Sequence, residues 1–176
     1  MYQYQIAVVV GSLRKDSYNR ALATALAKLA PAEFNFKQVE IGDLPLYNQD
    51  DDANQAPAVK RLKGQIEAAQ GLLFLTPEYN RSFPGVLKNA IDHASRPYGQ
   101  NSWADKPAGV IGTALAQQHL RSVLAILDVP TLGAPEVYLQ WQEGLIDADG
   151  NIGANSRAFL QGWMDRFVAW VRLHNA

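Results

Sequence analysis

The sequence predicts an α/β fold: a five-stranded parallel sheet with helices on both faces. Short apolar runs recur at residues 6–10, 72–75, 108–111 and 137–139, and an alternating segment spans 34–41. Segments with apolar residues at helical spacing separate and follow them. The resulting order, β-α-β-α-β-α-β-α-β-α, is that of parallel strands joined by helical crossovers. Right-handed crossovers leave few topologies, and the simplest for five strands is 2-1-3-4-5.

Each element has a local reason. Residues 6–10 (IAVVV) are continuously apolar, as in a strand buried on both faces. After a polar loop, Leu22, Leu26 and Leu29 mark an amphipathic helix that ends before Pro31. Phe34, Phe36 and Val39 alternate along a second strand, nearer the edge, over residues 34–41. A long loop crosses Pro45 and Pro57. Val59, Leu62, Ile66 and Ala69 make the second helix, and residues 72–75 the third strand. Leu87, Ala90, Ile91 and Ala94 predict a third helix with Pro84 in its first turn, where a missing N–H costs nothing. Residues 108–111 form a fourth strand, Leu120, Val123, Leu124 and Leu127 a fourth helix, and residues 137–139 a fifth strand. Leu160, Trp163, Phe167 and Trp170 mark the last helix, with Asn155 or Ser156 as its expected cap. No repeat or linker divides the chain, so residues 1–176 read as one domain.

Composition narrows the function. Hydrophobic residues are 48% and charged residues 19%, which argues against a disordered or fibrous chain. A net charge of −1 offers no basic excess for nucleic acid or an anionic membrane. The absence of cysteine excludes disulfides, thiol catalysis and cysteine-held iron–sulfur clusters. No apolar stretch approaches the ~20 residues of a membrane span. The polar start leads directly into a strand, unlike a signal peptide, so a soluble cytoplasmic protein is expected.

In such sheets ligands bind beyond the carboxyl ends of the strands, at the switch point between strands 1 and 3. That rule selects two loops, "GSLRKDSYNR" (11–20) and "TPEYNRSFPG" (76–85). The first supplies Ser12, Ser17 and Asn19 as neutral donors and Arg14 as a cation, and it opens a helix whose amino end favours an anion. No Gly-Lys pair and no Gly-x-Gly occurs, so neither a triphosphate loop nor a dinucleotide fingerprint is present. The set suits a terminal phosphomonoester. A plainer account has Ser17 capping the helix and Arg14 solvated. In the second loop Pro77, Glu78, Tyr79 and Asn80 offer a fixed turn, an acceptor, an aromatic surface and an amide, which suits a flat heterocycle. The plainer account there is a rigid turn with Asn80 and Ser82 capping the next helix.

At that spacing the two motifs resemble those of the NADPH-dependent FMN reductase family, with its chromate- and quinone-reductase branch nearest. The likeness extends through "EIGDLPLYNQD" (40–50) and "HLRSVLAILDVP" (119–130). It implies a flavodoxin-like fold, FMN held without a covalent bond, and a homodimer or homotetramer. It also implies NADPH or NADH as electron donor, and a small-molecule acceptor such as a quinone, with chromate and azo compounds as further candidates. Transfer would be two-electron and ping-pong, each reactant stacking in turn on the flavin. By the resemblance, phosphate contacts fall on Ser12, Arg14, Ser17, Tyr18 and Asn19, and ring contacts on Pro77, Glu78, Tyr79 and Asn80. No side chain is assigned as acid, base or nucleophile. The alternatives are a flavodoxin-type one-electron carrier, which a net charge of −1 disfavours, and a non-catalytic flavin sensor.

Other features read as structural. Asp50, Asp51 and Asp52 suit a solvated loop better than a metal. "DADGN" (147–151) starts like a calcium loop but has Ala158 where the twelfth-position Glu belongs, so it reads as a turn and no metal is expected. His93, His119 and His174 read as structural or solvated. Trp163, Phe167 and Trp170 suit core or subunit interface. Trp103, in a polar loop, could cover the flavin, meet another subunit or pack locally.

One departure stands out. The family carries a Ser/Gly/Pro-rich loop after strand 4, whereas here "AGVIGTALAQQHLRS" passes almost directly from strand to helix, leaving Gly112 and Thr113 as connection. Either the connection is truly short, and the pocket is closed from elsewhere, for instance by Trp103 of the partner subunit, or the sequence omits residues of a mobile loop and the chain breaks between residues 111 and 117.

Overall fold

The computed structural model describes residues 3–176. Five strands, β1 (Tyr4–Val10), β2 (Phe34–Gln38), β3 (Gly71–Thr76), β4 (Ala108–Gly112) and β5 (Val137–Tyr138), pair in the order β2-β1-β3-β4-β5. All four pairings are parallel. Five helices connect or follow them: α1 (Tyr18–Ala27), α2 (Pro57–Glu67), α3 (Gly85–Ala94), α4 (Ala114–Ile126) and α5 (Ala154–His174). The flavodoxin-like arrangement expected from the sequence is the one observed.

The continuous apolar runs are explained by burial on two faces. Ile6, Val8 and Val10 of β1 pack with Leu22 and Leu26 of α1 and Leu160 and Phe167 of α5. Ala7 and Val9, between them, pack with Leu62 and Ile66 of α2 and Leu87 and Ile91 of α3. Alternate residues of one strand thus serve two cores, as the pleat requires.

Four details differ from expectation. Strand β2 ends at Gln38, although Val39 still donates its N–H to Val8 O at 2.8 Å and is buried. Pro84 is the N-cap of α3 rather than part of its first turn. The long loop contains a 3-10 helix (Gln49–Asn54) capped by Asn48, with Asp50, Asp51 and Asp52 in its first turn, where the N-terminal dipole favours carboxylates. Helix α5 is capped by Gly153, not Asn155 or Ser156. Close backbone approach decides that position: a Cβ on Gly153 would lie 1.8 Å from Gly144 O, and its N–H donates to Leu145 O at 2.9 Å.

Trp103 is a core residue. It is 0% exposed, its ring tilts against Phe74 at 5.7 Å, and its Nε1–H donates to Ile91 O at 3.1 Å. The polar loop around it explains the burial. Asn101 bonds both Trp103 N and Leu127 O, and Ser102 donates to Glu67, so the neighbours satisfy the backbone while the indole turns inward. Trp103 therefore neither covers a cofactor nor meets a second subunit. Trp163 and Phe167 are likewise core, and Trp170, partly buried, donates Nε1–H to Pro130 O.

The Asp147 turn holds a cation of its own. Asp147 accepts N–H bonds from Asp149 and Asn151, while Lys28 Nζ donates to Asp149 O at 2.9 Å and Asn151 Oδ1 at 3.1 Å. The backbone N–H of Asn151, above all, holds the Asp147 carboxyl below its usual range. No metal-type cluster of three or more His, Cys, Asp or Glu occurs among the described residues. None of the described helices is long and apolar enough to cross a membrane.

Candidate functional site

The site forms where β1 and β3 diverge. Gly11 turns the chain off β1 with its N–H on Leu75 O, and a Cβ there would lie 2.9 Å from Thr76 Oγ1. Only a glycine lets the first loop pass so close over the end of β3. Ser12, next in the chain, is buried, yet no hydrogen bond from its hydroxyl is found among the described residues. Ser17 is the N-cap of α1: its Oγ accepts from Arg20 N at 3.3 Å. Capping and anion binding are compatible here, because the accepting hydroxyl keeps its own proton to donate, and the first N–H groups of α1 have no intrahelical partner. Tyr18 and Asn19 begin the helix beside it. Arg14 is exposed, with its guanidinium carbon 5.0 Å from the centroid of the Tyr18 ring.

The second loop is a rigid hairpin. Tyr79 and Ser82 exchange backbone bonds of 2.8 and 3.1 Å, and between them Asn80 (φ 52°) and Arg81 (φ 64°) both have positive φ. This is the two-residue primed turn, in which Asn is tolerated and Arg is strained. Asn80 serves the turn and caps no helix, nor does Ser82, since α3 starts without a side-chain cap. Tyr79 stands exposed on the tip. Before the hairpin, Glu78 Oε2 accepts from Thr113 Oγ1 at 2.5 Å, tying the end of β3 to the start of α4.

The connection after β4 is a single residue, Thr113, the N-cap of α4. A Cβ on Gly112 would lie 2.6 Å from Thr76 O, so this position admits only glycine. Buried Gln117 donates to Gly112 O at 3.0 Å and Val137 O at 2.6 Å, which fixes the connection between β4 and β5. Gln117 was missed at the level of sequence. The signal was there: it lies one residue after Ala116 and three before Leu120, on the apolar stripe of α4, where a polar side chain needs a partner.

These elements enclose a cleft of about 250 Å³. It is lined by Tyr18, Asn19 and Leu22 of α1, by Pro77 and Glu78 after β3, by Gly112 and Thr113 between β4 and α4, and by Leu139, Trp141 and Leu145 after β5. Of the nine residues expected at the site, Tyr18, Asn19, Pro77 and Glu78 share this cleft. Ser17 lies on an adjoining depression with Lys15, Arg20 and Trp141. Ser12 and Arg14 belong to the same loop as that depression, and Tyr79 and Asn80 project on the hairpin. Trp141 was not anticipated. It comes from the segment after β5 and stacks on Tyr18 with centroids 4.1 Å apart and planes 13° off parallel. A larger cavity of about 500 Å³ lies along Gln5, Lys37, Lys60 and Gly64, beside β1, β2 and α2, and includes no residue of the two switch-point loops.

Residues 4–143 match the NADPH-dependent FMN reductase family. The chain belongs to that family. It is thus an NAD(P)H-dependent oxidoreductase that works with FMN. A 2-hydroxy-1,4-benzoquinone reductase from a Burkholderia species is 54% identical, with 96% of each chain covered. A quinone reductase from Pseudomonas putida is 49% identical over 98% of this chain and 97% of its own. Among solved structures, the flavoenzyme NAD(P)H:(acceptor) oxidoreductase FerB from Paracoccus denitrificans superposes with a TM-score of 0.92 at 48% identity, covering 97% of this chain and 98% of its own.

The donor set suits FMN. A buried serine with an uncommitted hydroxyl, a helix amino end and an uncommitted guanidinium match a terminal phosphate. The cleft, bordered by Pro77, Glu78, Gly112 and Thr113, matches a flat ring with polar edges.

Proposed function

We propose that this chain is a quinone reductase, with residues 1–176 acting as one FMN-binding unit. The observation that carries the reading is the junction at one switch point of a phosphate-type helix end and a narrow cleft with polar edges. The names of the Burkholderia and Pseudomonas putida relatives point to the same acceptor class. Ser12, Arg14, Ser17, Tyr18 and Asn19 would hold the phosphate. Pro77, Glu78, Tyr79 and Asn80 would border the ring. Held by these residues, FMN would supply two-electron hydride chemistry between NAD(P)H and the acceptor. The chain positions these reactants. The Glu78–Thr113 bond holds two walls of the cleft at a set separation, and the hairpin presents the exposed Tyr79 ring as an apolar shelf. With one open face serving donor and acceptor in turn, steady-state NAD(P)H oxidation with a benzoquinone should give parallel double-reciprocal lines. Intersecting lines, or no quinone-dependent oxidation, would overturn the proposal.

The working form is proposed to be a cytoplasmic homodimer or homotetramer. Support comes from Leu46, 86% exposed, and Tyr98, 92% exposed, on the two loops that border α3. Pro45 O accepts from Asn89 and His93 of α3, which holds the first of these loops in place. Sedimentation should show at least twice the 19.4 kDa chain mass. An active species that sediments at the mass of a single chain would exclude the oligomer.

A further inference from the structure

We propose that Trp141 is a positioning residue for the phosphate arm, acting through Tyr18 on Arg14; this rests on the reading of the cleft as the FMN site. The three side chains form one column. Trp141 lies 4.1 Å from Tyr18, nearly parallel to it, and the Arg14 guanidinium lies 5.0 Å over the Tyr18 ring. The aromatic pair is 44% and 38% exposed at Tyr18 and Trp141, so it is not there to fill a core. A guanidinium held over a ring keeps its N–H edges available for a phosphate, and holding it in place beforehand lowers the conformational entropy lost on binding. Without Trp141, one face of Tyr18 opens to water and Arg14 regains its rotamers.

Binding of FMN and of riboflavin, which lacks the phosphate, separates this role from a general one. Titrated into apoprotein and read by flavin fluorescence, Trp141→Ala should raise the Kd for FMN roughly 3- to 10-fold, the scale of one aromatic stack. The Kd for riboflavin should change less than about twofold, within the experimental spread of such comparisons. Trp141→Phe keeps a stacking ring and should restore FMN binding, which also guards against a misfolded alanine variant. In an Arg14→Ala background the Trp141 change should have no further effect. An equal loss for FMN and riboflavin, or no loss for either, overturns the proposal. A parent chain that binds neither flavin would instead remove the FMN reading itself.

Discussion

Trp163→Ala is expected to lower the unfolding free energy by about 3–5 kcal/mol, the range for deleting a large buried aromatic. Trp163 is 2% exposed and stacks on Phe167 with centroids 5.5 Å apart. Main chain also packs against it: a Cβ on Gly109 of β4 would lie 2.9 Å from both rings. A cavity bounded by a sheet backbone cannot collapse as one bounded by side chains can, which places the cost toward the upper end. The same geometry predicts a compensation. Gly109→Ala alone overpacks the interface and should cost about 1–3 kcal/mol. Combined with Trp163→Phe, which removes the Trp163 share of that close approach, it should cost less than the sum of the two single changes. Urea unfolding with unchanged slope would measure each value. A cost below about 1 kcal/mol for Trp163→Ala would show that α5 can move in to fill the space.

Arg14→Ala should weaken FMN binding by about 1.5–3 kcal/mol, roughly 10- to 150-fold in Kd. No ion pair or hydrogen bond holds the Arg14 side chain among the described residues; its one contact found is with the face of Tyr18. The fold should therefore keep its melting temperature while cofactor affinity falls, which distinguishes a binding residue from a structural one. Because Arg14 is exposed, added salt should shrink the difference between parent and variant. Riboflavin affinity should hardly respond. A variant that binds FMN as tightly as the parent would return the phosphate role to Ser12, Ser17 and the amino end of α1 alone.

The sequence by itself determined the order and kind of the regular elements, the sheet topology and the two loops at the switch point. Each is written in local periodicity or in residue types that a short segment displays: the β-branched run at β1, the i, i+4 leucines of α1, the Pro-Glu-Tyr-Asn stretch after β3. Boundaries were less legible where local and distant preferences compete. Asn155 and Ser156 are the better caps in isolation, but the approach of residue 144 to residue 153 requires glycine there and moved the start of α5. Only the tertiary structure decided that Trp103 faces inward, because the satisfaction of its loop depends on Leu127 and Glu67, far away in sequence. The same holds for Gln117, whose partner Val137 O lies 20 residues on, and for Trp141, which meets Tyr18 only because the parallel sheet puts the carboxyl ends of β1 and β5 on the same side of the molecule. Contacts of this kind leave no period in the sequence. They arise when parallel strands place loops from distant parts of the chain side by side, and that is where the cleft lies.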